Sequence, residues 1–126
     1  MQKLVLVSLL FLVGCSKGIV PVSGKLLKGP DPIANVMITL VPEPNAGREF
    51  AVGGTDDNGI FTMYTLPSKG VSPGGYKIKL QPPIEGKAVS QIPGKFVDIS
   101  TTPWFITIPS NGFENLVLDV DQDKLK

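Results

Sequence analysis

Short hydrophobic blocks alternate with polar positions along most of this chain, and their period is two residues, which is the period of a β-strand. The clearest block is Tyr76-Lys77-Ile78-Lys79-Leu80, in which the tyrosine, isoleucine and leucine share one face and the two lysines share the other. Two prolines follow this block and end the pattern. The block therefore predicts a half-buried strand with an apolar inner face.

Two earlier segments show the same alternation. Val20, Val22 and Leu26 lie on one side of the first segment. Pro21 interrupts this segment, and because proline cannot donate a ladder hydrogen bond, we expect the strand to lie at a sheet edge or to start late. The second segment has four apolar positions on one face, namely Ala34, Val36, Ile38 and Leu40. Both segments predict strands that contribute to one core.

Turn-forming residues separate the predicted strands. Lys28-Gly29-Pro30-Asp31-Pro32 predicts the turn that follows the first strand. Residues 50–54 and 60–65 flank Thr55-Asp56-Asp57-Asn58-Gly59, where an Asp or Asn side chain can cap the backbone and the glycine can take a positive φ. This arrangement predicts a β-hairpin.

The C-terminal part of the chain predicts a second, closing hairpin. Residues 104–108 and 113–120 flank Ser110-Asn111-Gly112, and Asn-Gly is a favoured two-residue turn. A further short strand is expected near Phe96 and Val97. About seven strands and no helix indicate an all-β, seven-stranded antiparallel β-sandwich of Ig-like architecture. It is expected to span residues 20–121 and to be followed by a polar tail at 122–126.

Charge and composition exclude several classes of function. The chain has 12 Lys and Arg against 11 Asp and Glu, so it lacks the basic excess that neutralises nucleic-acid phosphates. It contains no histidine and one cysteine, Cys15, so a zinc site lacks its usual ligands and a serine nucleophile lacks its usual base. We therefore expect no nucleic-acid partner, no cofactor and no enzymatic activity.

The first 14 residues have the layout of a secretory signal peptide, with Lys3 before an apolar run over residues 4–13. This run is too short to cross a bilayer, because a spanning helix needs about 20 residues. Its end, Leu12-Val13-Gly14-Cys15, resembles the lipobox of bacterial lipoproteins. The opening segment is therefore expected to be an export signal and not a permanent membrane span.

The lipobox resemblance implies that the signal is removed before Cys15, that the cysteine sulfur carries diacylglycerol, and that the new amino terminus is acylated. Two or three chains on one residue anchor a protein stably, whereas one myristoyl-length chain binds weakly. Residues 15–19 are then the lipidated cysteine and a short tether. Because Ser16 and not Asp follows the cysteine, the resemblance implies an exported, membrane-anchored bacterial lipoprotein of the outer membrane.

Several ordered blocks resemble carboxypeptidase regulatory-like domains, which belong to the transthyretin-like (prealbumin-like) group of seven-stranded sandwiches. The resemblance covers residues 20–81 through the blocks 22–26, 32–38, 54–61 and 73–78. The blocks 92–96 and 103–108 are similar to the C-terminal half of small bacterial lipoproteins that carry this domain. The resemblance implies a scaffold without catalytic residues, because the zinc site of the carboxypeptidases lies in a separate domain.

Candidate binding residues are few. Asp56 and Asp57 could supply oxygen ligands to calcium, although turn formation explains them equally well. Asp119-x-Asp121-x-Asp123 imitates the start of an EF-hand loop but lacks the glycine and the final glutamate of that motif. Trp104 follows the irregular stretch 82–103 and could contact a ligand, or it could be a core residue. Tyr64, on the face opposite Phe61 and Met63, carries the same ambiguity.

These observations favour a membrane-tethered, non-catalytic β-sandwich with a structural or protein-interaction role in the cell envelope. The alternative is an accessory module that binds a carbohydrate or a small ligand through the 82–103 loop and Trp104. The partner is accordingly expected to be an envelope protein or a glycan.

Overall fold

The computed structural model of the chain describes residues 18–44, 47–84, 86 and 90–125. Its strands are β1 (Val22–Lys28), β2 (Asp31–Pro32), β3 (Met37–Pro42), β4 (Ala51–Gly54), β5 (Ile60–Thr62), β6 (Tyr64–Thr65), β7 (Ser68–Lys69), β8 (Gly74–Gln81), β9 (Phe105–Ile108) and β10 (Phe113–Asp119). Between β8 and β9, residues 90–91 are helical and Gly94–Phe96 form a 3₁₀ turn. The predicted signal peptide, Cys15, the next two tether residues and Lys126 of the tail lie outside the described residues.

The strands form two sheets, which fits the expected β-sandwich. The first sheet has the order β10-β1-β2, and β5 also pairs with β1. The second sheet has the order β7-β6-β4-β3-β8-β9. The all-β prediction is confirmed for the described ranges, but these contain ten strands and not seven, because β2, β6 and β7 are separate pieces of two residues each.

One hydrophobic cluster joins the inner faces of both sheets. Tyr76, Ile78 and Leu80 of β8 are fully buried, while Lys77 and Lys79 between them are partly exposed, so the inward and outward faces predicted for this strand are confirmed. Other strand residues in the cluster are Val22, Leu26, Ile38, Leu40, Leu116 and Leu118. The burial of this apolar surface is the main source of the fold's stability.

β1 begins at Val22, directly after Pro21, so the late start that the proline predicted is confirmed. Of the two alternatives, the late start is the one that the structure shows, because β1 lies inside its sheet and not at an edge. One side of β1 pairs with β10, and the other side pairs with β5 and then with β2. Pro21 sits just outside the ladder and its carbonyl oxygen accepts a hydrogen bond from Phe113 N at 2.9 Å.

β1 and β10 run parallel, so the prediction of a purely antiparallel sandwich is wrong at this pair. The predicted closing hairpin is wrong for the same reason, since β9 pairs with β8 in the second sheet and β10 pairs with β1 in the first. The predicted turn itself exists, because Gly112 has φ 90° and its N–H donates to the carbonyl of Pro109 at 3.0 Å. The turn carries the chain across the sandwich and does not close a two-stranded ladder.

The predicted hairpin over residues 50–65 is confirmed in part, because Val52 pairs antiparallel with Tyr64, but the intervening β5 crosses to the first sheet. β4 pairs with β3 and β6, whereas β5 pairs with β1. The tight connection is confirmed, because Gly59 N donates to the carbonyl of Asp56 at 2.9 Å and Asp56 N donates to the carbonyl of Ile60 at 3.0 Å. Both predicted turns are therefore correct, whereas the closing hairpin has the wrong strand partners and the hairpin over residues 50–65 has the right partner only in β6.

Two local predictions differ from the structure. Asn35 has φ 64°, which breaks the alternation, so that Ile33 is buried and Ala34 is only partly buried. Residues 94–96 form a 3₁₀ turn and not a strand, and Phe96 is fully buried within it.

Gly24 sets how closely β1 and β10 approach each other. A Cβ atom at this position would lie 1.9 Å from the carbonyl oxygen of Leu116 on β10. The register between the two strands shifts between Val22 and Gly24, at the same place. Only glycine fits this contact, since any other residue would push a side-chain atom into the facing backbone.

The two ends of the sandwich carry different features. At one end Val20 and Val71 form an antiparallel bridge, with N···O distances of 2.8 and 2.9 Å, and β8 begins there at Gly74. We call this the proximal end, because the described chain first joins the fold there. At the opposite, distal end, β8 ends at Gln81, which pairs with Met37 at the start of β3.

Candidate functional site

Trp104 is a core residue with 1% of its surface exposed. Its Nε1–H donates to the carbonyl of Gln122 at 2.9 Å, and its ring centroid lies 4.1 Å from that of Phe96. The indole therefore offers no open face on which a sugar ring could stack. Of the two sequence interpretations of Trp104, the geometry matches the core residue.

The described part of the 82–103 stretch is tied to the core. Thr102 Oγ1 donates to the carbonyl of Ile78 at 2.6 Å, and Ile92 is buried together with Phe96. Asp98 accepts hydrogen bonds from the backbone N–H and the hydroxyl of Ser100, at 2.9 and 2.8 Å. These bonds, the backbone one above all, lower the pKa of the Asp98 carboxyl below its ordinary value.

The aspartates considered as calcium ligands serve turns. Asp56 Oδ1 accepts hydrogen bonds from the N–H groups of Asn58 and Ile60, both at 2.9 Å. This is the geometry of an Asx-type turn, in which the side chain replaces a backbone acceptor. Asp57 lies in the same turn and is exposed.

The three C-terminal aspartates point to different partners. Asp119 Oδ1 accepts from Gly29 N at 3.1 Å, Asp121 pairs with Lys28 at 2.9 Å, and Asp123 pairs with Lys95. Within the described ranges, no group of three or more His, Cys, Asp or Glu side chains is placed to hold a metal ion.

β10 presents the longest edge of either sheet. Its inner residues Leu116 and Leu118 are buried, while Asn115 and Val117 are exposed on the outer face. One side of β10 pairs with β1, and no strand in the described part of the chain pairs with its other side. Alternate residues of this seven-residue strand therefore turn their main-chain donors and acceptors toward solvent, and the strand contains no proline or lysine.

The remaining sheet edges are shorter or protected. β7 and β2 have two residues each, and β2 includes Pro32. β9 has four residues and lies between Pro103 and Pro109. Natural sheets shield their edges in these ways, with short strands, prolines and charges, because an open edge pairs with other chains. The edge of β10 is longer and has no proline, and its only charged residues are the exposed Glu114 near its start and the partly buried Asp119 at its end.

A shallow apolar groove of about 440 Å³ lies on the outer face of the second sheet, near the proximal end. Phe50 is 60% exposed, Leu66 is 71% exposed and Tyr64 is 38% exposed along it. The prediction that Tyr64 lies opposite Phe61 and Met63 is confirmed, since those two side chains are buried. We refer to Phe50, Tyr64, Leu66 and Ile19 together as the proximal patch.

Arg48 forms the base of this groove, and no sequence pattern indicated it. Its Nη2 donates to the carbonyls of Gly75 and Pro44 at 2.8 and 3.1 Å. The guanidinium carbon lies 4.7 Å from the ring centroid of Tyr76. Arg48 therefore fixes the segment before β4 against the start of β8 and positions Phe50.

Comparison with known proteins gives no match: no family model fits the chain, and no curated protein or solved structure is significantly similar to it. Among the described residues, no helix has the length and apolar character needed to cross a bilayer.

Proposed function

We propose that this chain is a membrane-tethered, non-catalytic lipoprotein of the cell envelope whose β-sandwich binds an extended segment of a partner protein along the edge of β10. The tether is Cys15, within the lipobox-like sequence Leu12-Val13-Gly14-Cys15. The resemblance of the ordered blocks within residues 20–81 to carboxypeptidase regulatory-like domains motivates a scaffold role. The composition also supports it, because the chain has no histidine and no cysteine other than Cys15.

The long, unpaired edge of β10 is the observation that carries the interaction role. An extended peptide that adds to a sheet edge gains a series of main-chain hydrogen bonds, and side-chain pockets beside the edge give specificity. Next to β10 on the outer face, Val117 lies beside Lys25, and Lys25 lies beside Ile60 on β5. Val117 is 39% exposed, so a strand bound beside β10 would meet this apolar side chain as well as backbone.

A photo-crosslinking amino acid at Asn115, on β10, tests the edge in the native envelope. We expect a discrete crosslinked product at Asn115 and none at Asn111, an exposed asparagine in the preceding turn. Val117→Lys places a charge on the edge and should abolish the product. Val97→Lys is the matched control, since Val97 is 41% exposed and lies in the turn after the 3₁₀ segment.

Two outcomes would contradict the role of the edge. Crosslinking of equal strength at Asn115 and Asn111 would mean that β10 is not a selective site. A product with twice the mass of the chain would show that the edge pairs with a second copy and not with a different protein.

The tether is tested separately by metabolic labelling with a radioactive fatty acid. We expect label in the wild-type protein and none in Cys15→Ala. Label that enters both proteins equally, or neither, would refute the anchor.

A further inference from the structure

The proximal patch places four exposed apolar side chains beside the point where the described chain joins the fold. Val20 bridges Val71, and Ile19 packs on Gly70, where a Cβ would lie 3.4 Å from two carbons of the isoleucine. Thr65 Oγ1 donates to the carbonyl of the same Gly70 at 2.9 Å. Leu66 follows directly at the tip between β6 and β7, and Gly70, on which Ile19 packs, bridges Tyr64 at the base of the same short hairpin.

Covalent geometry limits the distance between this point and the proposed anchor. Consecutive Cα atoms are about 3.8 Å apart, so the Cα atoms of Cys15 and Ile19 are separated by at most about 15 Å whatever path the intervening residues take. An acylated Cys15 lies at the membrane surface, because its chains are buried in the bilayer. The hairpin that carries Leu66 is therefore held within reach of that surface.

We propose that the proximal patch inserts into the interfacial region of the bilayer and orients the sandwich on the membrane, an inference that rests on the Cys15 anchor of the proposed function. Leu66 and Phe50 are the two most exposed members of the patch, at 71% and 60%. Exposed apolar patches mark membrane or protein contacts, and aromatic side chains such as that of Tyr64 favour the boundary between lipid and water.

The composition of the patch indicates that apolar burial, and not charge, makes this contact. Arg48 and Glu49 both line the groove, so charges of either sign border it. Interfacial segments that rely on anionic lipid carry clustered basic residues instead. We therefore expect the contact to persist when the fraction of anionic lipid is lowered.

Tryptophan substitutions in the full-length, acylated protein test the orientation. The protein carrying Leu66→Trp is reconstituted in phosphatidylethanolamine–phosphatidylglycerol vesicles with brominated acyl chains, which quench tryptophan at close range. Ile84→Trp is the control, because Ile84 is fully exposed beyond the distal end of β8. Eight residues of β8 span about 26 Å, so the two probes lie at different heights if the patch faces the membrane. Trp104 is buried and gives the same background in both variants.

We expect the fluorescence added by Leu66→Trp to shift to the blue and to be largely quenched, while that added by Ile84→Trp keeps its intensity. Phe50→Asp combined with Leu66→Trp should reduce the quenching, which links the signal to the patch and not to the probe. Halving the phosphatidylglycerol content should leave the quenching unchanged.

The remaining outcomes separate the patch from the anchor. If the acylated protein floats with the vesicles but neither probe is quenched, or both are quenched equally, the patch proposal is overturned and the anchor stands. If mass spectrometry finds no acyl group on Cys15, the anchor is refuted. Selective quenching of Leu66→Trp in that unmodified protein would still support the membrane contact of the patch. Absence of quenching would overturn the patch proposal. A blue shift that depends on protein concentration without vesicles would assign the patch to a second copy and overturn the proposal.

Discussion

Phe96→Ala tests whether the irregular stretch between β8 and β9 is part of the core. Phe96 is fully buried although it lies on a 3₁₀ turn, and its ring is tilted by 35° against that of Trp104 at a centroid distance of 4.1 Å. Removing the ring loses the transfer free energy of its carbons and leaves a cavity beside the indole. Phe→Ala substitutions in cores cost about 3–5 kcal/mol, and we expect a loss of this size in the free energy of unfolding.

A loss of this size is a large part of the stability of a small domain, which is about 5–15 kcal/mol. Urea unfolding monitored by the fluorescence of Trp104 measures it directly, because Trp104 is the single tryptophan of the chain. With an m-value of about 2 kcal/mol/M, the midpoint should fall by about 2 M urea. The emission of the folded variant should also shift to the red, since the indole loses its aromatic neighbour.

Phe50→Ala is the matched control, since it makes the same chemical change at a side chain that is 60% exposed. Because most of this ring already contacts water, its removal should cost only about 1 kcal/mol. Equal midpoint shifts for the two variants would refute the burial of Phe96 and with it the attachment of the stretch to the core.

Two further predictions follow from individual contacts. Gly24→Ala should lower the melting temperature sharply, because the added Cβ would lie 1.9 Å from Leu116 O. Gly54→Ala is the control and should leave the melting temperature nearly unchanged, since no atom lies within 4 Å of the added carbon. Equal melting temperatures for the two variants would contradict the close approach of β1 and β10. The pKa of Asp98 is lowered in the folded state, so its carboxylate stabilises the fold at pH values above the ordinary aspartate pKa. This contribution is lost as the pH falls through the pKa of Asp98 in the folded protein. An NMR titration of Asp98 should find a lowered midpoint, and Ser100→Ala should raise it.

The sequence predicted the strand faces well, because alternation reports burial directly. Tyr76, Ile78 and Leu80 are inward, as their period of two requires. The alternation failed at Ala34, because Asn35 takes a left-handed conformation that no periodicity reveals. The pattern was therefore reliable where the backbone stays extended.

Strand partners could not be predicted in the same way. Gly59 and Gly112 identify tight turns, and both turns exist. A turn residue fixes the local reversal of the chain but not the sheet to which the next strand belongs. That choice depends on which inner face completes the core, and this is a property of the whole sandwich. The closing hairpin failed for this reason, and the hairpin over residues 50–65 holds only between β4 and β6.

The candidate surfaces were also beyond the sequence. Trp104 was a candidate for ligand contact because it follows a long irregular stretch. Its burial depends on the ring of Phe96, which packs against it from a 3₁₀ turn where a strand had been expected. The exposure of Leu66 and Phe50 follows from the positions of β4 and β6 in the second sheet, and Arg48 contributes through backbone carbonyls that no motif marks. Each of these features arises from tertiary packing.

The two proposed contacts are compatible because they use different parts of the sandwich. Phe113, the first residue of β10, lies at the proximal end beside Pro21, and the strand runs from there parallel to β1. If the proximal patch rests on the bilayer, the seven residues of β10 lead away from the membrane surface, and a partner strand can pair with them without displacing lipid. Val117→Lys should therefore abolish partner crosslinking without changing the quenching of a tryptophan at position 66. Phe50→Asp should reduce the quenching of a tryptophan at position 66 without changing partner crosslinking. If either variant removed both the crosslinking and the quenching, the two contacts would not be independent.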